Sequence, residues 1–225
     1  MSPKLTVLVP VYNEGHTIGS VMKSVAAALP ESQIIYIDDG SRDASLHILR
    51  AHARPQDLVL TKPNGGKGSA IRMGLEHAEG KFTVIQDADL EYDPKEILSL
   101  LKVAEANPFC AIFGSRFLTP NPNIYKRYLL GNKAVTGCLN LLFGSSVTDS
   151  YTCFKLLPTH LFQSLKLQSR GFEMEAEICA KCLKRRIDIK ECPITYKPRT
   201  IEEGKKIGWR DAVKGVWTMV GVRCA

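Results

Sequence analysis

Short apolar runs alternate with helix-period stripes along the first half of the chain. Leu5-Thr-Val-Leu-Val9 is rich in β-branched residues, is closed by Pro10, and predicts a buried strand. Ile18, Val21, Met22, Val25 and Leu29 recur at helical spacing and predict a helix from Thr17 to Leu29, stopped by Pro30. The same pattern predicts strands at residues 33–37, 58–61, 82–86 and 110–113, and helices at residues 45–52, 69–78 and 94–106. Strands alternating with helices predict an α/β fold, a mainly parallel central sheet flanked by helices. After about residue 115 the alternation weakens. Pro120 and Pro122 mark a loop, a helix is expected over residues 128–143, and Gly144 begins a run of shorter elements. With no linker or repeat in view, residues 1–225 are expected to form one domain whose second half covers the ligand edge.

Polar clusters follow three of these strands: Tyr12-Asn-Glu14, Asp38-Asp39 and Asp87-Ala-Asp89. In open α/β sheets ligands bind at the carboxyl ends of the strands. A turn after the fourth strand would bring both Asp87 and Asp89 to one site, and hard oxygens at one centre suit Mg²⁺ or Mn²⁺ on a diphosphate. Glu91 and Asp93 are further candidates, and the plainer reading is a capped loop before the helix at Pro94. Asn64-Gly-Gly-Lys-Gly68 could cradle a phosphate with backbone N–H groups or form a helix-entry turn. It lacks the Ser or Thr of a P-loop, and no GxGxxG follows the first strand, which weakens a nicotinamide-dependent reading.

Composition narrows the classes. Apolar residues are 44% and charged residues 24% of 225, ordinary globular values. No apolar run approaches the ~18 residues of a spanning helix, and the N-terminus has no signal-peptide layout, so a cytoplasmic chain is expected. Seven scattered cysteines suit reduced, buried thiols. Cys179-x-x-Cys182 could mark zinc but falls within a helical pattern. Residues 1–180 carry 18 Lys/Arg and 18 Asp/Glu, whereas residues 181–225 carry 12 and 5, so the whole +7 lies in the last fifth. That points to anionic partners or to a solvated face. Val213, Val216, Trp217 and Val220 form one helical stripe, with Arg210, Lys214 and Arg223 outside it. Such a helix suits either a membrane surface or the chain's own core. The aromatic-basic interleaving of single-strand nucleic-acid binders is missing, so nucleic acid is not an expected partner.

Five ordered motifs carry a resemblance. They are Val9-Pro-Val-Tyr-Asn-Glu14, Ile37-Asp-Asp-Gly-Ser41, Asn64-Gly-Gly-Lys-Gly-Ser-Ala70, Gln86-Asp-Ala-Asp-Leu-Glu-Tyr-Asp-Pro94 and Gly114-Ser-Arg116. Together they resemble the family 2 glycosyltransferases, and within them the dolichyl- or polyprenyl-phosphate hexose synthases. Later segments agree, among them Thr148–Lys155, Phe172–Glu175 and Pro193–Arg199. The resemblance implies a GT-A nucleotide-diphospho-sugar transferase fold, with residues 1–118 as the nucleotide-sugar half and 119–225 as the acceptor-side half. It implies that Pro10, Tyr12 and Glu14 flank the nucleotide, that Ile37 and Asp39 contact its base or ribose, and that Asp38 is a turn residue. Asp87, Ala88 and Asp89 would approach ribose and diphosphate, with Asp89 and Glu91 on the metal. Lys67, Arg116, Arg199 and Lys206 (or Lys205) would contact phosphate. Asp149 and Lys155 would line the sugar or acceptor site or form a buried salt bridge, and one of Glu173 and Glu175 would reach the site. The catalytic set implied is Asp89, Asp149 and Arg116. The activity implied is inverting transfer of a hexose from a UDP- or GDP-sugar to a polyprenyl phosphate, at the cytoplasmic membrane face or beside a membrane-protein partner. Transfer to a glycan or protein hydroxyl and a non-catalytic nucleotide-sugar-binding subunit are the alternatives.

Overall fold

The computed structural model describes residues 3–120, 126–199 and 208–225. Strand β1 (Leu5–Val11) is buried on both faces, as its unbroken apolar run requires. It carries two residues more than expected, with Pro10 inside it. The ladder to the next strand on one side ends at Leu8, so Pro10 lies where β1 is paired on one side only, a place that tolerates a missing N–H donor. Helix α1 (Ile18–Ala28), β2 (Gln33–Asp38), α2 (Ser45–His52), β3 (Leu58–Thr61), α3 (Lys67–Glu76) and β4 (Phe82–Ile85) follow. A 3₁₀ turn at Pro94–Glu96 leads into α4 (Ile97–Ala106). The Asp93 side chain caps that turn by accepting the Lys95 N–H at 3.0 Å.

Strand β5 (Ala111–Ser115) and helix α5 (Lys126–Phe143) come next. The expected short elements are β6 (Lys155–Pro158), α6 (Thr159–Ser164), α7 (Met174–Lys184), β7 (Ile189–Pro193) and α8 (Trp209–Cys224). The sheet has seven strands in the order β3-β2-β1-β4-β6-β5-β7. Every pairing is parallel except those of β6, which runs antiparallel between β4 and β5. Helices α3 and α6 pack together over β1, β2, β4 and β6, while α4 packs on β4, β5 and β6. The sheet is mainly parallel, and the two halves of the chain are joined within it by β6.

From β1 the chain first winds outward through β2 to β3, then crosses back to β4 on the other side of β1. The carboxyl ends of β1 and β4 are therefore a switch point, where diverging connections leave a crevice. Thr17 bridges the two loops there: its hydroxyl donates to the Ala88 carbonyl at 2.7 Å.

Gly80, just before β4, sits so close to β1 that a Cβ would lie 2.5 Å from the Thr6 nitrogen. Backbone cannot yield as a side chain can, so Gly80→Ala is expected to cost about 1–3 kcal/mol in urea unfolding. Gly137 is the control, since a Cβ added there would have nothing within 4 Å. At that position Ala in a helix should gain about 0.5–1 kcal/mol. Equal stabilities for the two variants would refute this packing.

Candidate functional site

A pocket of about 740 Å³ opens at the switch point. Its sheet side is lined by Pro10, Tyr12, Glu14, Asp39, Lys67, Asp87, Ala88, Asp89 and Glu91, and Arg116 and Arg199 reach it from the second half. The turn after β4 is what gathers Asp87 and Asp89. Leu90 takes a left-handed φ of 63°, an unfavourable conformation for a branched residue. The Glu91 N–H closes the turn on Asp89 Oδ1 at 3.2 Å. Strain of this kind costs on the order of 1–3 kcal/mol and here serves to bring two carboxylates together.

Each acidic group meets a cation brought from elsewhere. Arg199 donates to Asp89 Oδ2 at 3.0 Å and to Glu14 Oε2 at 3.1 Å. Lys67 Nζ lies 2.7 Å from Asp87 Oδ1 and 2.8 Å from Glu175 Oε1. Glu175 Oε2 in turn accepts from Lys155 Nζ at 2.7 Å. Asp87, Lys67, Glu175 and Lys155 thus alternate in charge from the pocket into the core, where Lys155 is fully buried. Burial would depress the pKa of Lys67, but Asp87 and Glu175 outweigh it and hold the ammonium well above its ordinary value. Burial, then the nearby Asp87 and Glu91 carboxylates, push Asp89 up to about 7 in spite of Arg199.

Several expected residues take unexpected places. Asp39 lines the pocket, but its Oδ1 accepts from Lys62 Nζ at 2.6 Å and from the Gly65 N–H at 3.0 Å, while Oδ2 accepts the Gly66 N–H at 2.7 Å. The two glycine amides that could have cradled a phosphate are engaged by this carboxylate. Gly66 is indispensable to that loop: its φ is 90°, and a Cβ would meet the Arg170 carbonyl oxygen at 2.5 Å. Ile37 points away from the pocket, toward Gly74 of α3, because alternate strand residues face opposite sides. Asp38 accepts the Ser41 N–H at 3.2 Å, as a turn residue should.

Arg116 is clamped by Asp149 through Nε at 2.7 Å and Nη2 at 2.8 Å, and its guanidinium lies 5.1 Å from the centre of the Tyr196 ring. Burial alone would lower its pKa, yet Asp149 keeps it well above the usual arginine range. Asp149 is completely buried and sits under Arg116, outside the pocket lining; its salt bridge is to Arg116, and Lys155 pairs with Glu175 instead. Lys155 likewise acts from beneath, through Glu175. Glu173 accepts the Gly171 N–H at 2.9 Å at the start of α7, leaving Glu175 as the pocket residue. Glu91 uses Oε1 on the Arg199 N–H at 2.7 Å and Oε2 on the Tyr196 hydroxyl at 3.0 Å. Lys205 and Lys206 lie outside the described residues. Cys179 and Cys182 are buried in α7, and burial pushes Cys179 up to about 12.

Sequence reasoning missed Lys62, Tyr92, Tyr151 and Phe172. Lys62 carries no motif, and Tyr92, Tyr151 and Phe172 stand inside the quoted motif segments without a role of their own. Tyr151 proves to be a latch: its hydroxyl donates to the Asp211 carbonyl at 3.2 Å in the first turn of α8. Gly215, one turn on, lies so close to that hydroxyl that a Cβ would overlap it. This contact holds Gly208 and Ala212 at the pocket wall. The expected stripe on α8 is divided by the same packing. Gly215 and Met219 are buried and Val216 is half-buried, while Val213 and Trp217 face outward, the latter 71% exposed.

A divalent ion suits the donor set here, since Asp87 and Asp89 offer only hard oxygens and the charge crowding at Asp89 would be relieved by a cation. Among the described residues no three metal-binding side chains converge, so further ligands would come from diphosphate oxygens or water. A proton on Asp89 competes with such an ion below its pKa. Mn²⁺ affinity measured by calorimetry should therefore rise roughly tenfold per pH unit up to about pH 7 and level off above it. A flat profile would remove Asp89 from the ion's ligands.

Known proteins resemble the chain in sequence and in fold. Residues 6–163 match the family model described as glycosyl transferase family 2. The chain is 29% identical over 222 residues to the low-salt glycan biosynthesis hexosyltransferase Agl6 of Haloferax volcanii, covering 93% of this chain and 52% of that protein. It is 31% identical over 151 residues to the dodecaprenyl-phosphate galacturonate synthase of Rhizobium johnstonii, covering 60% of this chain and 44% of that one. The chain thus spans about half the length of these curated relatives. In fold it is similar to glucosyl-3-phosphoglycerate synthase from Mycobacterium tuberculosis, solved with Mn²⁺, UDP and phosphoglyceric acid. The TM-score is 0.74 at 16% identity, with 98% of this chain and 78% of that one covered.

Proposed function

The chain belongs to glycosyl transferase family 2, and on that premise we propose that it moves a hexose from a nucleotide-diphosphate sugar to a polyprenyl phosphate at a membrane surface. The observation that carries the reading is the division of the pocket. The loops after β1 and β4 bring Glu14, Asp87, Asp89 and Glu91, whereas the second half brings the apolar Val135, Tyr151, Phe172 and Ala212 beside Arg116, Glu175 and Arg199. A donor with a charged diphosphate fits the charged groups, and an acceptor joining a phosphate to a hydrocarbon fits these and the apolar ones.

The reaction we assign is a direct displacement. An acceptor phosphate oxygen attacks the anomeric carbon, the bond from that carbon to the diphosphate breaks, and the configuration inverts. The nucleophile is already an anion near neutral pH, so no base has to remove a proton. Lys67 and Arg199 supply positive charge where the leaving diphosphate gains negative charge, and Lys206 is a further candidate. Arg116 adds charge from a position set by Asp149. Mg²⁺ or Mn²⁺ held by Asp89 and Asp87 would add Lewis acidity at the diphosphate. Glu91, which accepts from the Tyr196 hydroxyl and the Arg199 amide, would join through a remaining lone pair. Asp39, fixed by Lys62 and the glycine amides, retains one lone-pair site on Oδ2 for a base N–H. Transfer to a sugar hydroxyl would need a proton acceptor. Glu175, the carboxylate on that side, already holds a lysine ammonium on each oxygen, which favours the phosphate acceptor.

The membrane surface enters through the outer faces of α5 and α8. Leu130 and Leu141 of α5 are 70% and 87% exposed, and Val213 and Trp217 of α8 are 47% and 71% exposed. No helix among the described residues is long and apolar enough to cross a membrane. An exposed apolar face within a basic segment suits adsorption to anionic lipid. The chain should pellet with anionic vesicles at low salt and be released by high salt, because each basic residue contributes about 1 kcal/mol at such a surface. Vesicle binding unchanged by Leu130→Ser with Trp217→Ser would place the contact elsewhere.

Turnover is the direct test. A screen of UDP- and GDP-hexoses with Mn²⁺ or Mg²⁺ and a polyprenyl phosphate should yield a prenyl-linked sugar phosphate. Asp89→Ala should abolish turnover with the melting temperature nearly unchanged, since Arg199 keeps Glu14 as a partner and the carboxylate crowding that raises the Asp89 pKa is relieved. Wild-type rates in that variant or in excess EDTA would overturn the divalent-ion reading.

A further inference from the structure

The backbone amides of residues 168–171 are all held by glutamates at the start of α7. Glu177 accepts the Gln168 N–H on Oε1 and the Ser169 N–H on Oε2, both at 2.8 Å. Glu173 Oε1 accepts the Arg170 N–H at 3.1 Å and the Gly171 N–H at 2.9 Å. These two glutamates are four residues apart and share a helix face, while Glu175 between them lines the pocket. Glu177 is buried. Burial would raise its pKa, but Lys181 and the Ser169 amide outweigh it and hold the carboxylate below its ordinary value.

With the amides held on that side, the Ser169 and Arg170 carbonyls face the glycine loop that carries Lys67. The Arg170 oxygen accepts the Ser69 N–H at 3.0 Å. A Cβ on Gly68 would lie 2.5 Å from the Ser169 oxygen, and one on Gly66 2.5 Å from the Arg170 oxygen. Asp39 holds the same loop from its other side, through the Gly65 and Gly66 amides. Lys67 stands between two glycines, the residues that leave a backbone most freedom, and this grip from both halves of the chain removes that freedom.

We propose that Glu177 is a positioning residue for the donor's diphosphate: it sets the 168–171 segment, the segment sets the glycine loop, and the loop sets where Lys67 delivers its charge. The inference rests on the reading of Lys67 as a diphosphate contact and adds what fixes that contact. A carboxylate is required for the task, because two amides are held by two acceptor oxygens. Glutamine has one acceptor oxygen and would turn an NH₂ group toward the other amide. Acidic residues in a first helical turn also stabilise the helix itself through its dipole, so the test has to separate positioning from plain stability.

The experiment measures binding to the full chain with Mn²⁺ present. Calorimetry follows UDP or GDP, whichever the wild type binds more tightly, and an NMR titration follows the corresponding nucleoside, which has no phosphate for Lys67 to meet. Glu177→Gln is expected to weaken the diphosphate about five- to tenfold and to leave the nucleoside within about twofold, since a small displacement of a charged contact is enough for such a loss. In a Lys67→Gln background the same substitution should change nothing further, because a residue that acts through the ammonium is silent once the ammonium is gone. Lys181→Met removes the ion pair on Glu177 while both loop amides stay held, and should bind the diphosphate as the wild type does. If Glu177→Gln melts too early to titrate, Glu173→Ala replaces it with the same expected pattern, at a position that is only partly buried.

Equal losses for diphosphate and nucleoside, or a loss that persists in the Lys67→Gln background, would overturn the inference and leave Glu177 as a support of the fold. An unchanged diphosphate affinity in Glu177→Gln would overturn it as well. A wild type that binds neither UDP nor GDP would overturn the donor reading itself, and this inference with it.

Discussion

Negative charge gathered at one end of a sheet must be balanced by cations, and most features of this structure answer to that constraint. The loops after β1 and β4 bring Glu14, Asp87 and Asp89 to the switch point, where burial makes each carboxylate costly unless it is paired. The cations come from far along the chain. Arg199 is 185 residues beyond Glu14, and Glu175, which helps to hold Lys67, is 108 residues beyond that lysine. Removing one partner would leave an unpaired charge in a low-dielectric surrounding, a far larger loss than the pair itself is worth. The second half of the chain is therefore part of the electrostatic frame of the first. The antiparallel insertion of β6 gives this dependence a backbone route, because it delivers Lys155 directly beneath the pocket.

That frame also divides the chemistry. Groups that touch the pocket, such as Lys67, Arg199 and Asp89, are held by others that never reach it: Lys155 through Glu175, and Asp149 through Arg116. The Thr148 and Asp149 amides are held in turn by Glu191 of β7, at 2.8 Å and 3.1 Å. Preorganised charge of this kind stabilises a leaving diphosphate without rearranging during the reaction. The apolar part of the lining, Val135 of α5, Tyr151, Phe172 and Ala212 of α8, contributes no charged side chain. Its fit to hydrocarbon follows from that contrast.

Much of this was legible in the residues. Runs such as Leu5–Val9 and Gln33–Ile37 marked strands because a strand buried on both faces leaves little room for polar side chains. The acidic clusters marked the ligand edge because they followed three of those strands. What escaped was whatever depends on a partner distant in sequence. Ile37 belongs to a recognisable motif, but only the sheet register turns it toward α3. Asp39 was legible as a pocket residue, yet its engagement by Lys62 and two glycine amides was not, for the loop geometry is set by Gly66 against Arg170. The stripe on α8 had the right period, and its two open readings divide along it: Val216 packs inward, half-buried, while Val213 and Trp217 face outward. Periodicity reports that a helix has a preferred side, whereas small residues such as Gly215 decide which side can come closest.

The contact between Tyr151 and Gly215 has a bearing on how this molecule could be altered. The tyrosine lies before β6 and the glycine lies in α8, so the end of the chain is keyed to a position more than sixty residues earlier. A C-terminal helix borrowed from a relative would seat only if it presented a glycine opposite an aromatic hydroxyl, or if a smaller residue replaced the tyrosine in the same step. Positions 151 and 215 should consequently be exchanged as a unit in any chimera, and drift at either one should be constrained by the other.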